Sequence, residues 1–433
     1  MPRRNLHVLW LAAVISLACY VKVDRQGRMF VFALNEVEDR YLEKIDRQDL
    51  FEGAMEGMMS RLDDYSAFIS PNTYQELEQT LNQEFGGVGI QILLDPDTKQ
   101  LTVANPLVGS PAYEAGVRAG DRILRIDGES TQGLSLEDAA GRMRGKPGEA
   151  VTLTVLHPDE SEPLDMEVVR AIIQEDAVLG DTRNADGSWN YFLEGYDKLA
   201  YLRINTFGEK TAEELGRVLE ELDNAGLKGL IIDLRNDPGG LLGAAVEVCN
   251  LFVKSGVIVS TRGRDGRVRR AVDAKGTAPF TTLPIAVLVN QYSASASEIV
   301  AACLQDHGRA VIVGERTYGK GTVQEIIELE GEQGAIKLTT SSYWRPSGQN
   351  IHRTKDANES DAWGVSPSPG YEVKVQDEEL ADLVRWRLNR DLYRRDAVLE
   401  ADGTEPQEDG LEKDPQLMRA IQWFRDNYST QST

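Results

Sequence analysis

The chain is poor in the residues on which many hydrolases and most metal centres depend. Its 433 residues include four histidines and three cysteines. His7, His157, His307 and His352 are scattered, and neither they nor Cys19, Cys249 and Cys303 fall into metal-ligand spacing, so no metal and no cofactor is expected. A mechanism built on histidine would have to use one of those four. Basic charge is also scarce: 47 Lys and Arg face 70 Asp and Glu, for a formal net charge of −23. Binding to phosphate backbones needs a basic face, so nucleic acid is not expected as a partner. The one basic run, Arg262, Arg264, Arg267, Arg269 and Arg270, alternates with glycines and Asp265. It reads as a solvated hairpin, with contact to an anionic surface as the other reading. The longest apolar run near the start, Leu6–Val21, follows Arg3 and Arg4 and is broken by His7 and Ser16. It is shorter than the roughly 20 residues of a usual spanning helix and fits a secretory signal or a retained anchor. Cleavage after Ala18, retention as an anchor and lipidation of Cys19 all stay open for residues 1–24. Each puts the remainder outside the cytoplasm, in the periplasm or cell envelope, secreted or held to the membrane by its N-terminus.

What is present suits a folded α/β protein of several parts, since 41% of the residues are hydrophobic and glycine is frequent. Residues 30–84 read as a helical region, with Leu34, Val37, Tyr41 and Ile45 at helical spacing and a break at Asp63–Ser66. Residues 85–170 read as a small β-rich module with two helices. Within it Ile90, Ile92 and Leu94 alternate, and Ala119–Gly128 reads as turn, strand, turn. Residues 171–370 alternate strand and helix. Leu230–Leu234, Ile285–Val289 and Ala310–Gly314 are continuous apolar runs, as in strands of a buried parallel sheet. Thr211 reads as the cap of a helix with Glu214 in the capping-box position. Residues 371–433 return to helix, with Leu380, Leu383, Val384 and Leu388 as one stripe and Asp414-Pro415 opening a last helix.

Three segments carry chemistry. The first, Asn290 to Glu298, holds Ser293, Ser295 and Ser297 where a buried strand ends and a helix begins. Ligand sites of α/β sheets gather at that edge, and a helix N-terminus favours an anion there. The plain alternative is three serines capping a helix. The second, Thr317-Tyr318-Gly319-Lys320-Gly321, puts a lysine between glycines. It fails the phosphate-loop pattern, because Lys320 is followed by Gly321. A surface lysine or a catalytic base remain, and a base requires burial to keep the amine neutral. The third, Asp233 to Gly240, ends a buried strand in Gly239 and Gly240, whose amides can face a site. An ordinary strand-to-helix turn is the plain alternative.

Taken in order, these segments resemble the carboxyl-terminal processing peptidases, also called tail-specific proteases. The resemblance runs from about Ala54 to Tyr371 and includes Asp64-Tyr65-Ser66, Gly87-Val88-Gly89-Ile90, Ala119–Ile123 and Arg345-Pro346-Ser347-Gly348. It implies a crotonase/ClpP-like mixed α/β serine peptidase core over residues 171–370, a PDZ domain of the inserted type over 85–170, and helical segments over 30–84 and 371–433. It implies Ser295 as nucleophile, Lys320 as base 25 positions on, and Gln324 as the residue that orients the lysine. The backbone amides of Ala296 and of Gly239 or Gly240 would bind the oxyanion. Gly87, Val88, Gly89 and Ile90 would hold a substrate's terminal carboxylate, with the following strand pairing to the peptide. The resemblance further implies protein substrates with free C-termini, gating by the PDZ domain or a regulatory partner, and self-association through the helical segments. Asp306 and Glu298 fit structural roles better than tuning of the site. One departure stands out: the family's Gly-Ile/Val-x-Pro-Asp turn reads Gly364-Val365-Ser366-Pro367-Ser368, without the aspartate. Rival readings are a catalytically silent PDZ scaffold, a hydrolase built on Cys303 and His307, and an acyl-CoA enzyme on the crotonase-like fold.

Overall fold

Four apolar runs form one parallel sheet in the order Leu199–Arg203, Gly229–Asp233, Ile285–Val289 and Ala310–Gly314. Successive side chains in a strand point to opposite faces, and both faces of this sheet are covered. Ala200, Leu202, Leu230, Ile232 and Val287 pack with the helices Thr211–Asn224, Leu242–Phe252 and Ala296–Asp306. Tyr201, Ile231, Ala286 and Leu288 pack on the other side with Leu417, Ile421 and Phe424 of the last helix, Pro415–Tyr428. That double cover explains why the strands read as unbroken apolar runs rather than alternating ones. A glycine opens the second strand because a Cβ at Gly229 would lie 2.5 Å from the Phe424 ring.

The computed structural model describes residues 25–391 and 410–428, apart from 96–97, 159, 185–186 and 331–333. The proposed signal or anchor at 1–24 and most of the acidic linker before Asp414 lie outside them. Among the described residues no helix is long and apolar enough to cross a membrane.

Two compact units divide the chain. The smaller comprises residues up to Tyr74 with Gln324–Thr339. It holds the helices Arg25–Arg40 and Arg47–Met59, the second capped by Asp46, whose side chain accepts from the Gln48 amide. The break at Asp63 is a side-chain turn: its Oδ1 accepts from the amides of Tyr65 and Ser66 and from Thr339 Oγ1. The all-helical expectation for this region misses a short strand, Ala67–Ile69, antiparallel to Ala335–Lys337. Local periodicity says nothing of a pairing partner more than 260 residues away.

The larger unit comprises Gln75–Val323 and Thr340 onward. It contains the parallel sheet and the β-rich module. In the module Glu84–Gly87 pairs with Ala171–Gln174, and six strands form a sheet with Ile90–Leu94 at one edge. Val88, Leu101, Val103, Ile123 and Leu153 form its core with the helices Pro111–Glu114 and Leu136–Met143. The helix at 211 starts as expected, but its cap does not form. Thr211 Oγ1 accepts from the Gly208 amide, while the Glu214 carboxylate reaches the amides of Ala177 and Val178. Asp414 does cap the last helix, accepting from the Leu417 amide. Asp414 also takes part in a network in which Arg235 binds both Asp233 and Asp414 at 2.6–3.1 Å, and Tyr201 donates to Asp233. Burial pushes the Asp233 carboxyl up, but Arg235 outweighs it and holds the group below its usual range.

Candidate active site

Ser295 stands at the N-cap of the helix Ala296–Asp306, directly after the turn that ends the strand Ile285–Val289. It is nearly buried, and its backbone is strained, with φ +55° and ψ −111°. A non-glycine residue held so is uncommon and marks a place where the surroundings impose the conformation. The turn is fixed from below. Ser293 Oγ donates to the Leu234 carbonyl at 2.7 Å, and the Ala294 amide and Ser297 Oγ donate to the Asp237 carbonyl.

Gly239 lies against the same turn. A Cβ there would sit 2.6 Å from the Ala294 carbonyl, 2.7 Å from the Ala296 amide and 2.8 Å from Ser295 Cβ. With φ +98° as well, only glycine fits. The Gly239 amide donates to Asp237 Oδ1 at 2.8 Å, so that donor is already engaged. Gly240 follows with its α-carbon against the Phe207 carbonyl. Asp237 is fully buried, and burial pushes its carboxyl up to about 8 despite the Gly239 hydrogen bond.

The residue that joins the serine segment to the lysine segment is Glu298. It is fully buried, and four donors converge on its carboxylate. Oε2 accepts from the amides of Ser295 and Lys320 at 2.9 and 2.8 Å. Oε1 accepts from the Gly319 amide at 2.7 Å and from Thr317 Oγ1 at 2.6 Å. One carboxylate therefore binds the main chain of both Ser295 and Lys320. Burial raises it to about 7, and the four hydrogen bonds oppose the rise. Sequence reasoning assigned Glu298 a structural role and missed this bridge. The signal was available: Glu298 stands three residues after Ser295, the spacing at which a glutamate reaches back to the N-cap amide.

The remaining candidates are distributed as follows. Gln324 belongs to the smaller unit, where its amide donates to Thr339 Oγ1 at 3.1 Å. Gly87–Ile90 lie in the β-rich module, and the carbonyls of Val88 and Gly89 accept from Ala112 and Leu107. A cavity of about 720 Å³ runs beside the edge strand at Gln91, Ile92 and Leu93 to Asn236, Asn290 and Tyr292. Ser295 and Lys320 are not part of its lining. Cys303 is buried and free, and His307 Nε2 pairs with the Val257 carbonyl at 2.8 Å, so these two form no catalytic pair. Asp306 binds Arg345, a structural tie. At the variant turn, Ser368 Oγ accepts from the Ile312 amide.

The chain is similar to known proteins. Residues 198–367 match "Peptidase family S41", residues 102–156 match "PDZ domain", and residues 28–73 match "Activating protease CtpB N-terminal domain". A carboxy-terminal-processing protease of Bartonella bacilliformis is 37% identical over 380 residues, covering 86% of this chain and 82% of that protein. A carboxyl-terminal-processing protease of Synechocystis sp. is 39% identical over 304 residues, covering 69% and 68%. A solved structure of a photosystem II D1 C-terminal processing protease is 30% identical, covers 80% of this chain and 87% of its own, and has a TM-score of 0.44.

Proposed function

The chain belongs to peptidase family S41, among the carboxyl-terminal processing proteases, and from that premise we propose that it cleaves exported proteins by acyl-enzyme chemistry on a Ser295–Lys320 dyad. The observation that carries this reading is the Glu298 carboxylate bound to the main chain of both residues. Lys320, as the neutral amine, takes the proton of Ser295 Oγ while that oxygen bonds to the scissile carbonyl carbon. The oxyanion is received by the amides of Ala296 and Gly240, since the Gly239 amide is engaged by Asp237. Each such donor is worth about 10²–10³ in kcat. The C–N bond then breaks, the departing amine takes the proton from Lys320, and water hydrolyses the ester. Gln324 orients the lysine.

The PDZ domain supplies selection. Its edge strand Ile90–Leu94 can accept a peptide as an added strand, with Gly87–Ile90 receiving the terminal carboxylate. The basic and apolar residues at 3–21 direct the protein to the cell envelope, secreted or anchored there, where a regulatory partner can act on it. Exposed Met29, Phe30 and Phe32 on the helix Arg25–Arg40 support self-association.

The test is cleavage of an unfolded reporter with an apolar tail, free or amidated at its C-terminus. The wild type is expected to cut the free form preferentially, and Ser295→Ala to cut neither. Cleavage by Ser295→Ala at the wild-type rate would overturn the reading, and no cleavage by either under any condition would favour the silent scaffold.

A further inference from the structure

We propose that Thr317 is a positioning residue for the proteolytic reaction, its hydroxyl holding the Glu298 carboxylate that sets the segments of Ser295 and Lys320. The inference rests on the dyad reading and goes beyond it, to a side chain outside the dyad.

Thr317 is almost fully buried and its hydroxyl is used in both directions. Oγ1 donates to Glu298 Oε1 at 2.6 Å and accepts from the Val365 amide at 2.7 Å. Its own amide donates to the Val365 carbonyl at 3.1 Å. Thr317 thus joins three stretches: the helix carrying Glu298, the glycine–lysine loop, and the turn at Gly364-Val365. That turn is built for it. Gly364 has φ +59°, and a Cβ there would lie 2.8 Å from Thr317 Oγ1. Past Thr317 the loop is held by other contacts. The Tyr318 amide donates to the Ser293 carbonyl and the Arg353 amide to the Gly319 carbonyl, while a Cβ at Gly321 would meet the His352 amide at 2.2 Å.

The chemistry follows from the donor count. An ionised carboxylate has about four acceptor sites, and Glu298 receives four donors. Three are main-chain amides; Thr317 is the one side-chain donor among them. Protonating the carboxylate replaces an acceptor by an O–H that faces other donors, so the bridge is complete only in the ionised form. Removing the Thr317 hydroxyl takes away a charge-assisted hydrogen bond to that form. It also leaves the Val365 amide buried without its acceptor. Protonation of Glu298 then becomes easier at a given pH. The other titratable or charged groups on the surrounding elements are Glu315, Arg316 and Lys320 on the loop, His352 beside Gly321, Arg353 beside Gly319, and Asp237 beneath Ser297. Arg316 and Arg353 lie over the Trp363 ring.

The experiment compares the full-length wild type, Thr317→Val and Thr317→Ser for reporter turnover from pH 5 to 10, for thermal unfolding, and for labelling of Ser295 by a fluorophosphonate. Thr317→Val keeps the shape and loses the hydroxyl. It is expected to lose about 10- to 100-fold in kcat at pH 7 with KM little changed. The acid limb of its profile is expected to move up by about one pH unit. Thr317→Ser is expected to restore both. Wild-type turnover and an unmoved acid limb in Thr317→Val would overturn the inference. So would an equal loss at every pH accompanied only by a lower Tm, which is what packing alone produces. Absence of Ser295 labelling in an active wild type would instead remove the dyad, and this inference with it.

Discussion

Asp237→Asn is predicted to stabilise the protein increasingly as the pH rises. The Asp237 carboxyl is fully buried, and Gly239 is the amide that donates to its Oδ1. Oδ2 has no protein hydrogen-bond partner. Burial disfavours the anion and lifts the folded-state pKa to about 8 from an unfolded value near 3.8. The folded state therefore holds a proton that the unfolded state releases above pH 4. Stability from this group is fully present below the unfolded value and is lost as pH rises to about 8, where the folded form also ionises. The slope is roughly 1.4 kcal/mol per pH unit in that window, so between pH 5 and pH 7 the wild type loses about 2–3 kcal/mol from this source. Asparagine keeps an oxygen for the Gly239 amide and does not ionise. The assay is urea unfolding of the wild type and Asp237→Asn at half-unit steps from pH 4 to 9. The difference between them is expected to grow from pH 4 to 8 and to level off above it. A difference independent of pH would show the carboxyl to be ionised in the fold and refute the reasoning.

Arg235→Met removes the cation between Asp233 and Asp414 and leaves two buried carboxylates facing each other. A loss of about 3–5 kcal/mol is expected by denaturant unfolding, with protease sensitivity appearing first around Asp414. Gly239→Ala places a methyl within 2.8 Å of Ser295 Cβ at a positive φ. It should cost about 1–3 kcal/mol and most of the turnover, read by Tm and reporter cleavage together. Glu298→Gln presents an NH2 group to incoming donors and is expected to lower kcat by about 10²-fold with KM near the wild-type value.

Much of the architecture was legible because burial on two faces leaves a plain mark on a strand. Ile285–Val289 and Ala310–Gly314 read as continuous apolar runs of a parallel sheet, and they pair in parallel. The helix after Ser295 was legible for the same reason. The strand Ala67–Ile69 was not, since its partner lies far along the chain. Nor was the cap at Thr211, where Glu214 found two amides of another segment in place of the N-cap amide. At the site, the serine and lysine segments were visible as motifs. The residue connecting them was not, because its role depends on two loops meeting at one carboxylate. The engagement of the Gly239 amide by Asp237 was hidden likewise, although the motif itself named both residues.

The dyad is tested most directly by mapping the covalent adduct of a fluorophosphonate on the intact protein at pH 8, in the wild type and in Lys320→Ala. The account predicts a single adduct on Ser295, formed at least about 10²-fold more slowly in Lys320→Ala, whose fold and Tm stay near those of the wild type. An adduct on another residue, or equal rates in the two proteins, would contradict it.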